Sequence, residues 1–194
     1  MTDFRDLTLY VVRHGECEHN ADGWAAGHDD SPLTAHGRAQ ARANGRVLAD
    51  IAGDLAALDF HASSLHRTCT TMELLREAAG LPAGGYRADG RLLEGNLGDH
   101  ARMPIAAFFQ HEGYRSDPWN YVRPNGESMA QIHERVGRFL ATLTRDSVIV
   151  SHALPCTAIR AHYLGLSPEE TIGYHMGNAG MLRLSMGTET LFGA

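Results

Sequence analysis

The segment LTLYVV, residues 7–12, is apolar at both parities apart from Thr8, and it stops at Arg13, His14 and Gly15. A strand with one wet face alternates, whereas a strand apolar on both sides has to be covered on both. That condition is met by an inner strand of a parallel sheet with helices over each face. SVIV at 147–150 has the same character, and 59–63 is a shorter candidate.

Helical stretches follow these strands. Thr34 is placed to cap a helix running to about residue 50. Ser63 or Ser64 is placed to cap another that runs to Ala79 and stops at Gly80 and Pro82, and the stretch 154–164 ends at Gly165. At 127–143, Met129, Ile132, Val136, Phe139, Leu140 and Leu143 recur at three- and four-residue steps, the mark of an amphipathic helix, behind the turn Pro124, Asn125, Gly126. MLRLSM at 181–186 alternates like a half-buried strand at the sheet edge, with a last strand expected at 190–192. Strand and helix in alternation predict an α/β fold: three layers, α/β/α, around a mainly parallel sheet. At 194 residues the chain is expected to form a single domain over 1–194.

The pattern breaks between Gly98 and Pro124. HARMPIAAFFQHEGYRSDPWNYVRPNG is rich in aromatics, arginines and prolines, and reads as a lid-like insertion around 99–124 with one short helix at 105–110.

A net charge of −6 without a basic run argues against a nucleic-acid partner, because phosphate backbones reward clustered cations. No stretch has the continuous apolar length of a membrane span, and MTDFRDLTLY lacks the features of a signal peptide, so no membrane partner and a cytoplasmic location are expected. Cys17, Cys69 and Cys156 are odd in number and form no CxxC, which reads as three reduced thiols. Twelve histidines without HExxH or a zinc-type cluster read as scattered surface residues, with no metal implied.

Ligands of parallel α/β sheets bind at the carboxyl edge of the strands. Past the first strand come Arg13 and His14, past the second Ser63, Ser64 and Arg67, and past SVIV comes His152. Guanidinium groups match phosphoryl oxygens with paired planar donors, and Arg67 would add the positive end of its helix. One of the two histidines can act as a nucleophile if its other ring nitrogen is held, and Gly15 beside His14 leaves room for in-line approach.

RHGECEHN resembles the RHGxxxxN signature of the histidine phosphatase superfamily, which includes phosphoglycerate mutases and small phosphomonoesterases. The likeness continues in order through AAGHDDSPLTAHGRAQA, SSLHRTCTTM, RLLEGNLGDH, NGES and VIVSHALP. It implies a phosphoglycerate mutase-like fold and a role at each matched position. His14 would be the group phosphorylated, and Arg13, Arg67 and His152 would hold the phosphoryl oxygens. Asn20 and the backbone around Gly27 would complete the lining. Glu94 would be the acid that protonates the leaving group, then the base for hydrolysis, a task that calls for a carboxyl whose pKa is raised. No metal and no cofactor are implied.

Some positions depart from the family pattern: Cys17 where Thr or Ser is common, His19 where Trp is frequent, Ala153 where Gly often follows the second histidine, and HAR at 100–102 in place of WEG. None removes a catalytic group, and Cys17 reads as a structural substitution. Mutase relatives carry more basic side chains in longer insertions, so hydrolysis of a small phosphorylated metabolite, with inorganic phosphate as product, is the expectation. If the insertion covers the pocket, its aromatics suit a nucleoside-like or sugar phosphate; otherwise they form a small core of their own. The alternatives are phosphoglycerate mutase activity, α-ribazole phosphatase activity, phosphohistidine phosphatase activity on proteins and a non-catalytic phospholigand-binding domain. A homodimer is compatible with all of them.

Overall fold

The computed structural model describes residues 3–192. Its main sheet contains β1 (Leu9–Arg13), β3 (Asp59–Ala62), β4 (Arg87–Ala88), β6 (Ser147–Ser151), β7 (Met181–Ser185) and β8 (Thr188–Phe192) in the order β4-β3-β6-β1-β7-β8. The first four run parallel, while β7 and β8 are added antiparallel. β2 (Trp24–Ala25) and β5 (Met103–Pro104) form a separate antiparallel ribbon. The helices are α1 (Glu18–Ala21), α2 (Ala35–Ile51), α3 (His66–Ala78), α4 (Ile105–Gln110), α5 (Glu112–Ser116), α6 (Met129–Leu140), α7 (Ala153–Leu164) and α8 (Pro168–Thr171).

The expected layering follows from the two parities of the inner strands. Leu9, Val11 and Ile149 pack on Ile132, Val136 and Phe139 of α6 and Ile159 of α7. Tyr10, Val12, Val148 and Val150 pack on Leu48 of α2 and on Met72 and Leu75 of α3. The strand expected at 7–12 starts at Leu9 and includes Arg13, which pairs with Ser151. β7 lies one strand inside the edge, because β8 pairs along its whole length.

Helix starts agree with the sequence reading where the cap is local. Thr34 accepts from the Gly37 N–H at 3.0 Å, and Gly165 closes α7 at φ 68°. The helix expected from 127 starts at Met129, because Ser128 and Gln131 form a capping box and Glu127 is left outside to accept from Arg135. Its regular part ends at Leu140 and a tighter turn carries Leu143. Neither Ser63 nor Ser64 caps α3. The carboxylate of Asp30 takes that place, accepting from the His66 N–H at 2.5 Å.

The insertion holds β5, α4 and α5, and its aromatics divide. Phe108 packs with Ala25 and Leu97, with Phe109 and Tyr114 against them. Trp119 lies 5.2 Å from the His133 ring, and Tyr121 crosses Gly113 so closely that a Cβ there would be 2.3 Å from its ring. Four of the twelve histidines, His14, His61, His100 and His152, are buried, while the other eight are half-buried or exposed. All three cysteines are free, and Cys17 and Cys156 are buried. Among the described residues no helix is long and apolar enough to cross a membrane.

Candidate active site

The carboxyl edge of β1, β3 and β6 brings Arg13, His14, Arg67 and His152 together. His14 is 3% exposed, and its Nδ1 lies 2.7 Å from the carbonyl of Gly15. A carbonyl can only accept, so Nδ1 carries the proton and Nε2 keeps its lone pair. The His152 ring stands edge-on to that of His14, with centroids 5.1 Å apart, and its Nε2 meets the Ser63 hydroxyl at 2.8 Å. Burial, then the charges of Arg67 and Arg13, push the His14 pKa well below the ordinary histidine value. His152 is pushed the same way by burial, then by Arg67 and His14. Both rings are therefore neutral at pH 7.

Arg67, 1% exposed, is held from the loop before α2. Nη1 donates to the Asp29 carbonyl and the Asp30 carboxylate, both at 3.0 Å, and Nη2 donates to the Gly27 carbonyl at 2.8 Å. Gly27 has φ 57°, and a Cβ on it would lie 2.9 Å from the Leu97 side chain, so this close turn requires glycine. Arg13 donates through Nη1 to the Met176 carbonyl at 2.7 Å. Arg13 Nε, Arg67 Nε and His152 Nδ1 are buried without a hydrogen-bond partner among the described residues. Arg13 and Arg67 line a common cavity, and buried donors are nearly always paired, so their two unpaired Nε–H groups mark the place of an acceptor-rich ligand, whereas His152 lies beside His14 and outside the cavity's lining.

The Glu94 carboxylate sits at the start of α7. Oε1 accepts from the N–H groups of Gly95 at 2.9 Å and Leu154 at 3.2 Å, and Oε2 accepts from Ala153 at 3.2 Å. Its carbonyl is gripped by Arg135 Nη2 at 2.9 Å and lies 2.8 Å from His28 Nε2. Asn20 Oδ1 accepts from Asn178 at 2.8 Å and from the Cys17 thiol at 3.1 Å, which gives Cys17 a structural place beside the site. One cavity of about 220 Å³ is lined by Arg13, His14, Asn20, Gly27, Arg67 and Glu94, with Phe108, Phe109 and Tyr114 of the insertion over it. The insertion therefore does both things weighed for it: it covers the pocket and forms a small core.

Gly15 meets a demand that its position beside His14 did not reveal. A Cβ there would lie 2.2 Å from the Gly37 carbonyl oxygen, so the glycine is required by a backbone crossing over the start of α2. Residues that hold the site but carry no strand-end signal are Asp29 and Asp30 on Arg67, Arg135 on Glu94 and Asn178 on Asn20. Of these, only Asp30 had a partial trace, as the second acidic residue of HDDSPLT, which falls in a segment resembling the family's.

Two guanidinium groups, two neutral imidazoles, a carboxylate and a covered mouth are the parts of a phosphoryl-handling site. The family model of the histidine phosphatase superfamily, branch 1, matches residues 9–191, and the chain belongs to that superfamily. Among its curated relatives, a Klebsiella pneumoniae protein named "Probable phosphoglycerate mutase GpmB" is 34% identical over 82% of this chain and 76% of its own. The crystal structure of the α-ribazole phosphatase from Shigella flexneri is 28% identical, with a TM-score of 0.75 over 96% of this chain and 95% of that one. A mycobacterial glucosyl-3-phosphoglycerate phosphatase, solved with VO3, is 29% identical with a TM-score of 0.75 over 92% of each chain. The neighbours thus support an enzyme of the phosphatase type.

Proposed function

We propose that the protein is a metal-independent phosphomonoester hydrolase acting on a small phosphorylated metabolite through a phosphohistidine at His14. The observation that carries this reading is the His14 Nδ1 contact with the Gly15 carbonyl. It leaves Nε2 unprotonated, with Arg13, Arg67 and His152 around it.

In the first step Nε2 attacks phosphorus in line, the P–N bond forms and the P–O bond to the leaving group breaks. Glu94, protonated, gives its proton to the departing alkoxide. The equatorial oxygens gather charge that the Arg13 and Arg67 guanidinium groups neutralise, the task a metal performs in other phosphatases, with the neutral His152 ring beside them as a hydrogen-bonding group. In the second step the Glu94 carboxylate takes a proton from water as that water attacks phosphorus. Phosphate and neutral His14 are regenerated, and Glu94 is again protonated. The three backbone donors on Glu94 suit the carboxylate of this second step.

Hydrolysis is favoured over mutase chemistry because the apolar cover of the pocket suits release of product better than retention of a highly charged acid. The test is phosphate release from a panel of phosphomonoesters in EDTA, with His14→Ala in parallel. Turnover that survives EDTA and vanishes in the variant supports the reading. Equal turnover by the variant, or none on any ester, overturns it and favours a binding domain.

A further inference from the structure

Outside the phosphoryl site the cavity changes character. Its walls are Trp24 and Ala25 of β2, Leu97, Ile105, Phe108 and Phe109 of α4, Tyr114 of α5 and Leu154, with His175 the one imidazole among them. The rings are mutually braced: Phe109 meets Tyr114 at 5.6 Å and His175 at 5.4 Å, and Phe108 meets Tyr114 at 5.2 Å. Trp24 and Ile105 stand at the rim, 40% and 46% exposed, where an apolar guest would cover them.

The chain has no lysine, so every fixed cation is one of its 17 arginines. Two of these, Arg13 and Arg67, line the cavity, and both belong to the phosphoryl site. The insertion's own arginines are committed elsewhere. Arg102 faces a different crevice and pairs with Asp29 at 2.5 Å. Arg123 is buried beneath the Phe108 ring at 5.2 Å and donates to the Glu127 carbonyl. Arg115 does not line the cavity. A carboxylate or second phosphate on the leaving group would lie against apolar walls without a fixed counter-charge, which is costly, whereas an apolar ring there leaves water at a gain.

We infer that the phosphorylated substrate carries an uncharged, ring-bearing leaving group that is held between Trp24, Ile105, Phe108, Phe109 and Tyr114. This rests on the phosphatase reading but makes a separate claim about the ligand. It sets the preferred substrate apart from phosphoglycerate-type acids.

Titration calorimetry with three non-hydrolysable phosphonates separates the two claims. Naphthylmethylphosphonate is expected to bind at least about tenfold more tightly than methylphosphonate, while 3-phosphonopropionate binds no more tightly than methylphosphonate. Phe109→Ala and, as a rim variant, Ile105→Ala are each expected to reduce the naphthyl-over-methyl ratio by about threefold or more. Tightest binding by the carboxylate-bearing probe, equal binding of the naphthyl and methyl probes, or a ratio unmoved in both variants overturns the inference. Failure of all three to bind removes the phosphoryl site and the inference with it. If the expected ranking appears but naphthyl phosphate is not hydrolysed, the hydrolase reading fails and the ligand class stands.

Discussion

Asp30 holds Arg67 from two sides. Its carboxylate accepts from the guanidinium at 3.0 Å and, through the His66 N–H at 2.5 Å, caps the helix whose first turn carries Arg67. Cap and ion pair together fix the direction of a buried cation that also donates to the carbonyls of Asp29 and Gly27.

Removing that carboxylate should therefore cost both stability and activity. Asp30→Ala is expected to lower stability on the order of 1 kcal/mol, the usual worth of an N-cap. It should also lower kcat/KM by about 10- to 100-fold, because a misaimed guanidinium forfeits transition-state contact. Asp30→Asn keeps an acceptor for the cap and should regain most of the melting temperature but only part of kcat/KM. Parallel recovery of both quantities would reduce Asp30 to a structural cap.

Arg13, His14, Arg67, His152 and Glu94 were legible as candidates because the first four follow the expected strands by one to four residues and Glu94 lies in a recognisable segment. The edge of a parallel sheet gathers such positions without further information. The capping role of Asp30 was not legible, since the helix it caps begins 36 residues further on. Capping signals are read locally, and the local candidate, Ser63, is taken by His152. The β2–β5 ribbon and α5 were missed for a related reason: two paired residues and a five-residue helix are too short to show a period. Among the histidines, His61 and His100 misled, because a residue usually polar and exposed is buried there outside the site.

Glu94→Gln should separate the two steps assigned to that side chain. Loss of the acid is expected to lower turnover of alkyl phosphates by about 10²- to 10⁴-fold, the range of general acid catalysis. An aryl phosphate with an acidic leaving group needs less help in the first step and should lose less overall. Phosphohistidine should then accumulate, because the base for the second step is missing too. Acid-quenched or phosphohistidine-directed detection of labelled enzyme checks this, and equal losses on both ester classes with no trapped intermediate would contradict it.

The buried histidines should make folding stability depend on pH. His14 and His152 have native pKa values pushed below the ordinary value of 6.5 by burial first and arginine charge second. His133 is pushed down to about 4 by burial and the neighbouring His162. Below pH of about 6.5 the unfolded chain binds protons that the native state does not, so stability falls as pH falls through that value and on toward the lowered native ones. Denaturation midpoints between pH 8 and pH 5 should decline toward acid. His152→Asn, with one fewer such group, should decline less steeply, and an identical slope would contradict the assignment.

Gly37 supports the nucleophile from outside the pocket. Thr34 caps α2 by accepting from the Gly37 N–H, and its hydroxyl donates to the Glu16 carboxylate at 2.7 Å. The backbone of residues 15–16 thus rests on the first turn of that helix, and Gly15 supplies the carbonyl that sets the His14 tautomer. A Cβ at Gly37 would lie 1.9 Å from the Glu16 carbonyl oxygen and 2.7 Å from its nitrogen, and backbone cannot rotate away as a side chain could. Gly37→Ala is therefore expected to cost about 3 kcal/mol in chemical denaturation. The folded fraction should show reduced kcat as well, because the displaced Gly15 carbonyl no longer holds His14 Nδ1. Gly90→Ala is the comparison, since a Cβ there meets nothing within 4 Å and should leave stability unchanged or slightly raised. If both variants behave alike, close passage over α2 does not position His14.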